Sequence, residues 1–152
     1  MDVTSTVSDL ARGDVRRALS GLPEADGYEL RVIPLRYRGD KPHLSAWTDF
    51  VARTITLQVP EPFLPFGEVV AYGARRRPGK AMRFIWLTEG VTFHTPREVL
   101  RFLYLHEWMH WHLREGLGKK SQAETTCDRF ALQNYRHRRV TMDDAEQALR
   151  RR

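Results

Sequence analysis

Disulfide chemistry has almost nothing to work with in this chain. Its 152 residues hold one cysteine, Cys127, which excludes an intrachain disulfide framework and suits a reducing compartment. No apolar run approaches the roughly 18 residues that a membrane span needs, and no N-terminal basic-then-apolar segment marks export. The expected home is the cytoplasm, with no membrane partner. Repeats and low-complexity tracts are also lacking, which excludes solenoids and tail-like linkers. What is present is ordinary for a globular protein: 41% hydrophobic and 29% charged residues, in a chain long enough to bury a core without staples. One domain over residues 1–152 is expected, with a basic C-terminal tail from about residue 136.

Acidic residues are in short supply relative to basic ones, leaving a formal charge of +6. Much of the excess sits in two runs, Arg75-Arg76-Arg77 with Lys80, and Arg136 to Arg139 with Arg150 to Arg152. Such runs serve as a solubilising surface, and they also permit nucleic acid or another acidic partner.

The first half reads mostly as strands. Residues 8–20 form an amphipathic helix closed by Gly21 and Pro23. "YELRVIPLRY" (28–37) alternates like a half-buried strand, with Pro34 pushing it to a sheet edge or breaking it. "ARTITLQV" (52–59) alternates again, with Ile55, Leu57 and Val59 on one face. "PEPFLPFG" (60–67) is a loop, and "EVVAYG" (68–73) and "MRFIWLT" (82–88) pair as a hairpin across a basic turn. The second half reads as helices. Thr95-Pro96-Arg97-Glu98 is a capping box with proline in the first turn. Helix periodicity runs from 96 to about 115, and Gly116 and Gly118 stop it. Ser121 to Glu124 starts a second helix reaching Tyr135, and Thr141 caps a last one over 142–150. The expected fold is α+β: a small, mostly antiparallel sheet, then two antiparallel helices packed on it and on each other.

The chemistry gathers in "LYLHEWMHWHL" (103–113). Four residues turn a helix by about 400°, so His106 and His110 share a face and can reach one ion. Glu107 lies at the edge of that face. This is the H-E-x-x-H arrangement, two ligands with a carboxylate beside metal-bound water. His112 lies about 200° beyond His110 and is expected to be partly exposed and no ligand. Zinc at a catalytic site takes a third protein ligand and a water. The next helix offers Glu124 and Asp128, spaced i, i+4 in "AETTCDRFA". Glu124 is either that third ligand or the third-position partner of a Ser121 cap. Asp128 either fixes the tautomer of a ligand histidine or is a surface carboxylate. Cys127 is either a small residue packed between helices or a thiolate donor.

These residues resemble the gluzincin metallopeptidases, which pair H-E-x-x-H with a glutamate on a following helix and an aspartate four residues later. Within that group, "ETTCDRFA" and the short spacing look like the compact ImmA/IrrE type, and SprT-like proteases are more distant relatives. The resemblance is specific over Pro96 to Ala131 and only architectural before it. It implies a zincin-like fold, with Zn²⁺ on His106, His110 and Glu124, Asp128 behind a ligand histidine, and Glu107 as general base. Trp108 and Met109 stand where the compact group often has an aliphatic residue and glycine, and their bulk is expected to narrow the cleft. SprT-like proteases tend to use a third histidine, and His137 falls on the far side of its helix from Glu124.

The expected activity is therefore zinc-dependent hydrolysis of a peptide bond, in a protein or peptide substrate that is one specific partner. An oxyanion stabiliser is not assignable: Tyr135 is three turns from Glu124, Tyr104 is on the wrong face of its helix, and His94 is the remaining candidate. Residues 82–88 are either an edge that pairs with an extended peptide or an ordinary interior strand. The competing reading is a nucleic-acid-binding or regulatory module whose zinc is structural or vestigial. There Arg75, Arg76, Arg77 and Lys80 contact DNA, Tyr72 and Trp86 stack on bases, and His112 or Cys127 fills the fourth zinc position.

Overall fold

Alternating apolar residues lay down the sheet, and a short list of caps and turns fixes its order. The computed structural model describes residues 1–37, 41–76, 84–119 and 124–150, with Arg76 and Phe84 described by backbone alone. Strands β1 (Val3–Ser5), β2 (Glu29–Leu35), β3 (Ser45–Asp49) and β4 (Thr54–Pro60) form one sheet in the order β1-β2-β4-β3. Leu30, Val32, Ile55, Leu57 and Val59 are buried along its inner face, where the period of two places them. Strands β5 (Phe66–Arg76) and β6 (Phe84–Phe93) form a separate antiparallel ribbon.

The sheet is mixed, not mostly antiparallel as expected. β2 runs parallel to both its neighbours, and only β3 and β4 are antiparallel. Alternation reports which face is buried and carries no strand direction. Direction here follows from α1 (Arg12–Ala18), which returns the chain to lay β2 beside β1. Pro34 lies inside β2, opposite Val59. It is tolerated because β1 reaches only to Val32, so the flank of β2 at Pro34 is locally an edge. Of the expected hairpin, the described residues pair antiparallel from Arg76 and Phe84 back to Phe66 and Phe93, beyond the expected base, while its turn lies outside the described residues.

β3 has no counterpart among the expected strands. Its turn into β4 uses no glycine. Asp49 Oδ1 accepts from the backbone N–H groups of Val51 and Ala52 at 3.0 and 2.9 Å, and Arg53 takes the left-handed conformation with φ 57°.

Helix α2 (Pro96–Trp111) starts as expected: Thr95 Oγ1 accepts from the Glu98 N–H at 3.3 Å, and Glu98 Oε1 accepts from the His94 N–H at 2.8 Å. It is buried on nearly every side, through Val99, Leu100, Phe102, Leu105, Trp108 and Met109 among others. It ends in a π turn over His112–Gly116. A Cβ on Gly116 would meet His112 Nδ1 at 2.8 Å, and Gly118 has φ +65°, so both glycines shape this exit. α3 (Glu124–Asn134) packs back against α2, and α4 (Met142–Arg150) follows. The expected helix start at Ser121 lies outside the described residues. Thr141 precedes α4 as expected, but the carboxylate does the bonding there: Asp144 Oδ2 accepts from the Thr141 N–H at 2.8 Å and from its hydroxyl at 3.2 Å.

Arg101 is a buried cation that the sequence reading passed over. Its Nε donates to Tyr135 O at 2.9 Å, and its Nη1 to Ala18 O at 2.9 Å and Ser20 O at 3.1 Å. Its Nη2 donates to the His137 and Arg138 carbonyls. The guanidinium thereby ties the end of α1 and the segment after α3 to the middle of α2.

Candidate metal centre

Three elements, α2, α3 and β3, converge at the C-terminal half of α2. His106 and His110 lie one turn apart, and their Nε2 atoms are 3.1 Å from each other. Glu124, the first residue of α3, places Oε2 2.9 Å from His106 Nε2 and Oε1 3.0 Å from His110 Nε2. Among the described residues, His106, His110 and Glu124 form a group able to hold a metal ion, their donor atoms all within 4.8 Å of one another.

The donor set fits a cation. Donors around a tetrahedral zinc, each about 2.0–2.2 Å from the ion, lie about 3.3 Å apart. The two carboxylate oxygens of Glu124 each face one imidazole nitrogen, at 2.9 and 3.0 Å, and the two nitrogens are 3.1 Å apart, so the three residues present their donors to one small volume. Proton placement points the same way. His106 Nδ1 is 2.8 Å from Asp128 Oδ1, which assigns a proton to that nitrogen and leaves Nε2 facing Glu124. Lone pairs on Nε2 and on the carboxylate would repel without a positive charge between them.

In the metal-free protein that charge is a proton on His106. Burial lowers the basicity of this imidazole, but hydrogen bonds to Asp128 and Glu124 and the charge of Glu107 outweigh burial and raise its pKa to about 10. Glu124 shifts downward, chiefly through its hydrogen bond to His106 and against partial burial. Its side chain is 70% exposed, so solvent screens much of this effect.

Glu107 has a different setting. It is only 5% exposed. Burial raises its pKa, opposed by His106, His110 and a hydrogen bond from Thr48. Thr48 Oγ1 donates to Oε1 at 3.0 Å, while Oε2 lies 3.6 Å from His106 Nε2. One carboxylate oxygen is thus held by β3 and the other is presented beside the histidine nitrogens.

These groups line an open cleft of about 260 Å³, walled by Ala46, Trp47, Thr48 and Phe50 on one side and by His106, Glu107, His110 and Glu124 on the other. The wall from β3 was not anticipated. Its available signal was the pair of strand-forming residues Trp47 and Thr48 before an Asx turn at Asp49. The strand read as either a peptide-pairing edge or an ordinary interior strand, 82–88, contributes none of its described residues to the cleft wall; β3 supplies that wall. Residues 82 and 83 lie outside the described residues, and β6 from Phe84 pairs with β5.

Other expectations are corrected. His112 is buried, not partly exposed. It stacks on Trp108, with ring centroids 4.9 Å apart and planes 8° apart, and burial lowers its pKa. Trp108 and Met109 do not narrow the cleft. Both are fully buried, and Trp108 Nε1 donates to Glu24 O at 3.0 Å. Cys127 packs in the core, where burial keeps its thiol protonated. Neither His112 nor Cys127 belongs to the donor group. None of the oxyanion candidates lines the cleft: Tyr104 donates to Pro23 O at 2.5 Å, Tyr135 packs against Phe93 and Phe102, and His94 is exposed. Of the basic residues expected to touch nucleic acid, Arg75 is exposed on β5 and Arg76 continues that strand, while Arg77 and Lys80 lie outside the described residues.

Among the described residues, no helix is long and apolar enough to cross a membrane. No protein family, curated protein or solved structure matches the chain.

Proposed function

We propose that the protein is a zinc-dependent metallopeptidase of the compact gluzincin type, acting on a peptide bond in one specific protein partner. The observation that carries this reading is the convergence of His106, His110 and Glu124 at the floor of an open cleft, beside a buried carboxylate that is not one of the donors. His106, His110 and Glu124 would hold the ion. Bound zinc supplies Lewis acidity and brings the pKa of water to about 7. Glu107 is poised as general base: burial raises its proton affinity, and Thr48 orients it. The proton that Glu107 accepts from water is the one it later delivers to the leaving amine. A donor set of three protein residues open to solvent suits catalysis better than structure, because structural zinc sites are closed by four.

β3 supports the choice of a peptide. It is the edge strand of the sheet and forms one wall of the cleft, so its free backbone groups can take an extended segment by strand addition. The test is metal analysis combined with a mass-spectrometric search for new protein N-termini, comparing wild type with Glu107→Gln. Both proteins should carry one zinc per chain. Chelator-sensitive new N-termini should appear only with wild type, the variant losing about 10²- to 10⁴-fold in rate. Equal cleavage by Glu107→Gln removes the general-base role, and a wild type that binds no zinc ends the metal reading.

A further inference from the structure

The walls of the cleft hold carboxylates and imidazoles, and a guanidinium stands beside them. β3 and α2 run the same way along the cleft. Thr48 bonds Glu107 near the candidate ion, at 3.0 Å. Two residues further along the chain from Thr48, Phe50 meets Arg114, which lies in the π turn that continues α2. The Arg114 Cζ sits 4.4 Å from the Phe50 ring centroid, within cation–π range. Phe50 is itself a wall residue of the cleft. The buried Tyr28 meets its ring edge-on, with centroids 6.4 Å apart and planes at 74°, so the platform under the guanidinium is anchored to the core.

The charge of Arg114 is not spent on the fold. Its side chain is exposed, and among the described residues it forms no ion pair, unlike Arg17, Arg36, Arg136 and Arg150. The neighbouring carboxylate is committed elsewhere: Glu115 Oε1 accepts from the Tyr28 hydroxyl at 2.9 Å. His110 and Arg114 are four residues apart, about 6 Å along a helix, and a strand advances about 3.3 Å per residue. A peptide laid along β3, with its scissile carbonyl over His106, His110 and Glu124, therefore brings a group about two residues away to Arg114. Resting on the metallopeptidase reading above, we infer that Arg114 is a specificity-determining residue that pairs with a substrate carboxylate about two residues from the scissile bond. The planar guanidinium fork can receive that carboxylate through two N–H donors. Stacking on Phe50 pre-orders the fork, so less side-chain freedom is lost on pairing. The carboxylate is that of an aspartate or glutamate side chain or of a chain terminus.

Two peptide pools serve as probes. One holds random decapeptides blocked at both ends by acetylation and amidation. The other holds short peptides without Asp or Glu, each as a free acid and as its amide. Both are passed over immobilised, zinc-loaded full-length Glu107→Gln, and retained peptides are identified by mass spectrometry. Asp and Glu should be enriched up to about fivefold in the first pool, or free acids over amides in the second, and the pool that responds identifies the source of the carboxylate. Adding Arg114→Gln should abolish the preference, and adding Arg114→Glu should turn it toward Lys and Arg. Adding Arg139→Gln, which removes an exposed cation from the segment before α4, should leave it unchanged. Equal melting temperatures would show that all the variants fold. No retention, no acidic preference in either pool, the same preference after Arg114→Gln, or an equal loss with Arg139→Gln would overturn the assignment. Retention needs no hydrolysis. Retained peptides that wild type never cuts would remove the metallopeptidase reading and leave carboxylate recognition standing, whereas cleavage indifferent to Arg114 would do the reverse.

Discussion

Helices α2 and α3 serve the same candidate ion in opposite ways. α2 offers His106, Glu107 and His110 from inside the core, on a helix buried on nearly every side. α3 offers Glu124 from its first residue, whose side chain is 70% exposed. Donors on α2 are held in place whether or not a cation is present, because the helix that carries them is fixed in the core through Leu105, Trp108 and Met109, none of them exposed at all. Glu124 has no such packing, and its position depends on what it faces. The contrast separates a preorganised part of the site from a recruited part.

The largest expected effect tests that separation directly. His106→Ala and Glu124→Ala should each weaken zinc binding by more than about a hundredfold, since each removes one donor from a small set. Their effects on the metal-free protein should differ. His106→Ala should destabilise it by about 2 kcal/mol, and Glu124→Ala by no more than about 0.5 kcal/mol. Thermal melts in excess chelator make the comparison. Equal destabilisation would break the contrast, because it would mean that the exposed carboxylate is as much a part of the fold as the buried imidazole.

Asp128 belongs to α3 but acts on a residue of α2, through His106 Nδ1. Asp128→Asn should lower zinc affinity by about 10- to 100-fold, with the donor set itself intact. Competition with a chromophoric chelator measures it, and an unchanged affinity would reduce Asp128 to a surface carboxylate.

The protonation of His106 sharpens the comparison further. Its metal-free pKa is raised to about 10 by carboxylates on both helices, against an unfolded value near 6.5. A raised pKa contributes stability that is complete below the unfolded value and lost as pH rises through the folded value. The metal-free protein should therefore lose stability between about pH 6.5 and 10. Zinc must displace this proton, so its apparent affinity should rise up to about tenfold per pH unit over the same window. Calorimetry in two buffers of different ionisation enthalpy should register one proton released per zinc at His106. No release would show that the imidazole is neutral before metal arrives.

The smallest effect falls on β3. Thr48→Val removes the hydrogen bond to Glu107 Oε1 and should slow cleavage about fivefold, equivalent to about 1 kcal/mol, with zinc content unchanged. Thr48→Ser should restore most of the rate. A valine variant as active as wild type would leave Glu107 positioned by α2 alone.

The sequence made the α2 part of the site legible because angular spacing on a helix is rigid: His106 and His110 share a face wherever the helix packs. Glu124 and Asp128 were legible as an i, i+4 pair, though nothing in their spacing says how exposed Glu124 is. Thr48 and Trp47 were not legible. They reach the cleft through tertiary pairing, on a five-residue strand whose turn relies on Asp49 and a left-handed Arg53 in place of glycine. The burial of His112 was missed for a related reason. Its angle on α2 was read correctly, but the π turn and the close approach of Gly116 tuck it against Trp108. Strand direction was invisible as well, because the alternation in β2 and β4 is the same for parallel and antiparallel neighbours.

Arg101 sets how the whole molecule comes apart. One side chain on α2 receives carbonyls from residues 18 and 20 and from residues 135, 137 and 138, joining stretches more than a hundred positions apart along the polypeptide. Neither end can peel away while the other stays folded without leaving N–H donors of the buried Arg101 unpaired. The two extremities are thereby made to melt as a single cooperative unit, and the histidine-bearing helix between them inherits the rigidity of both.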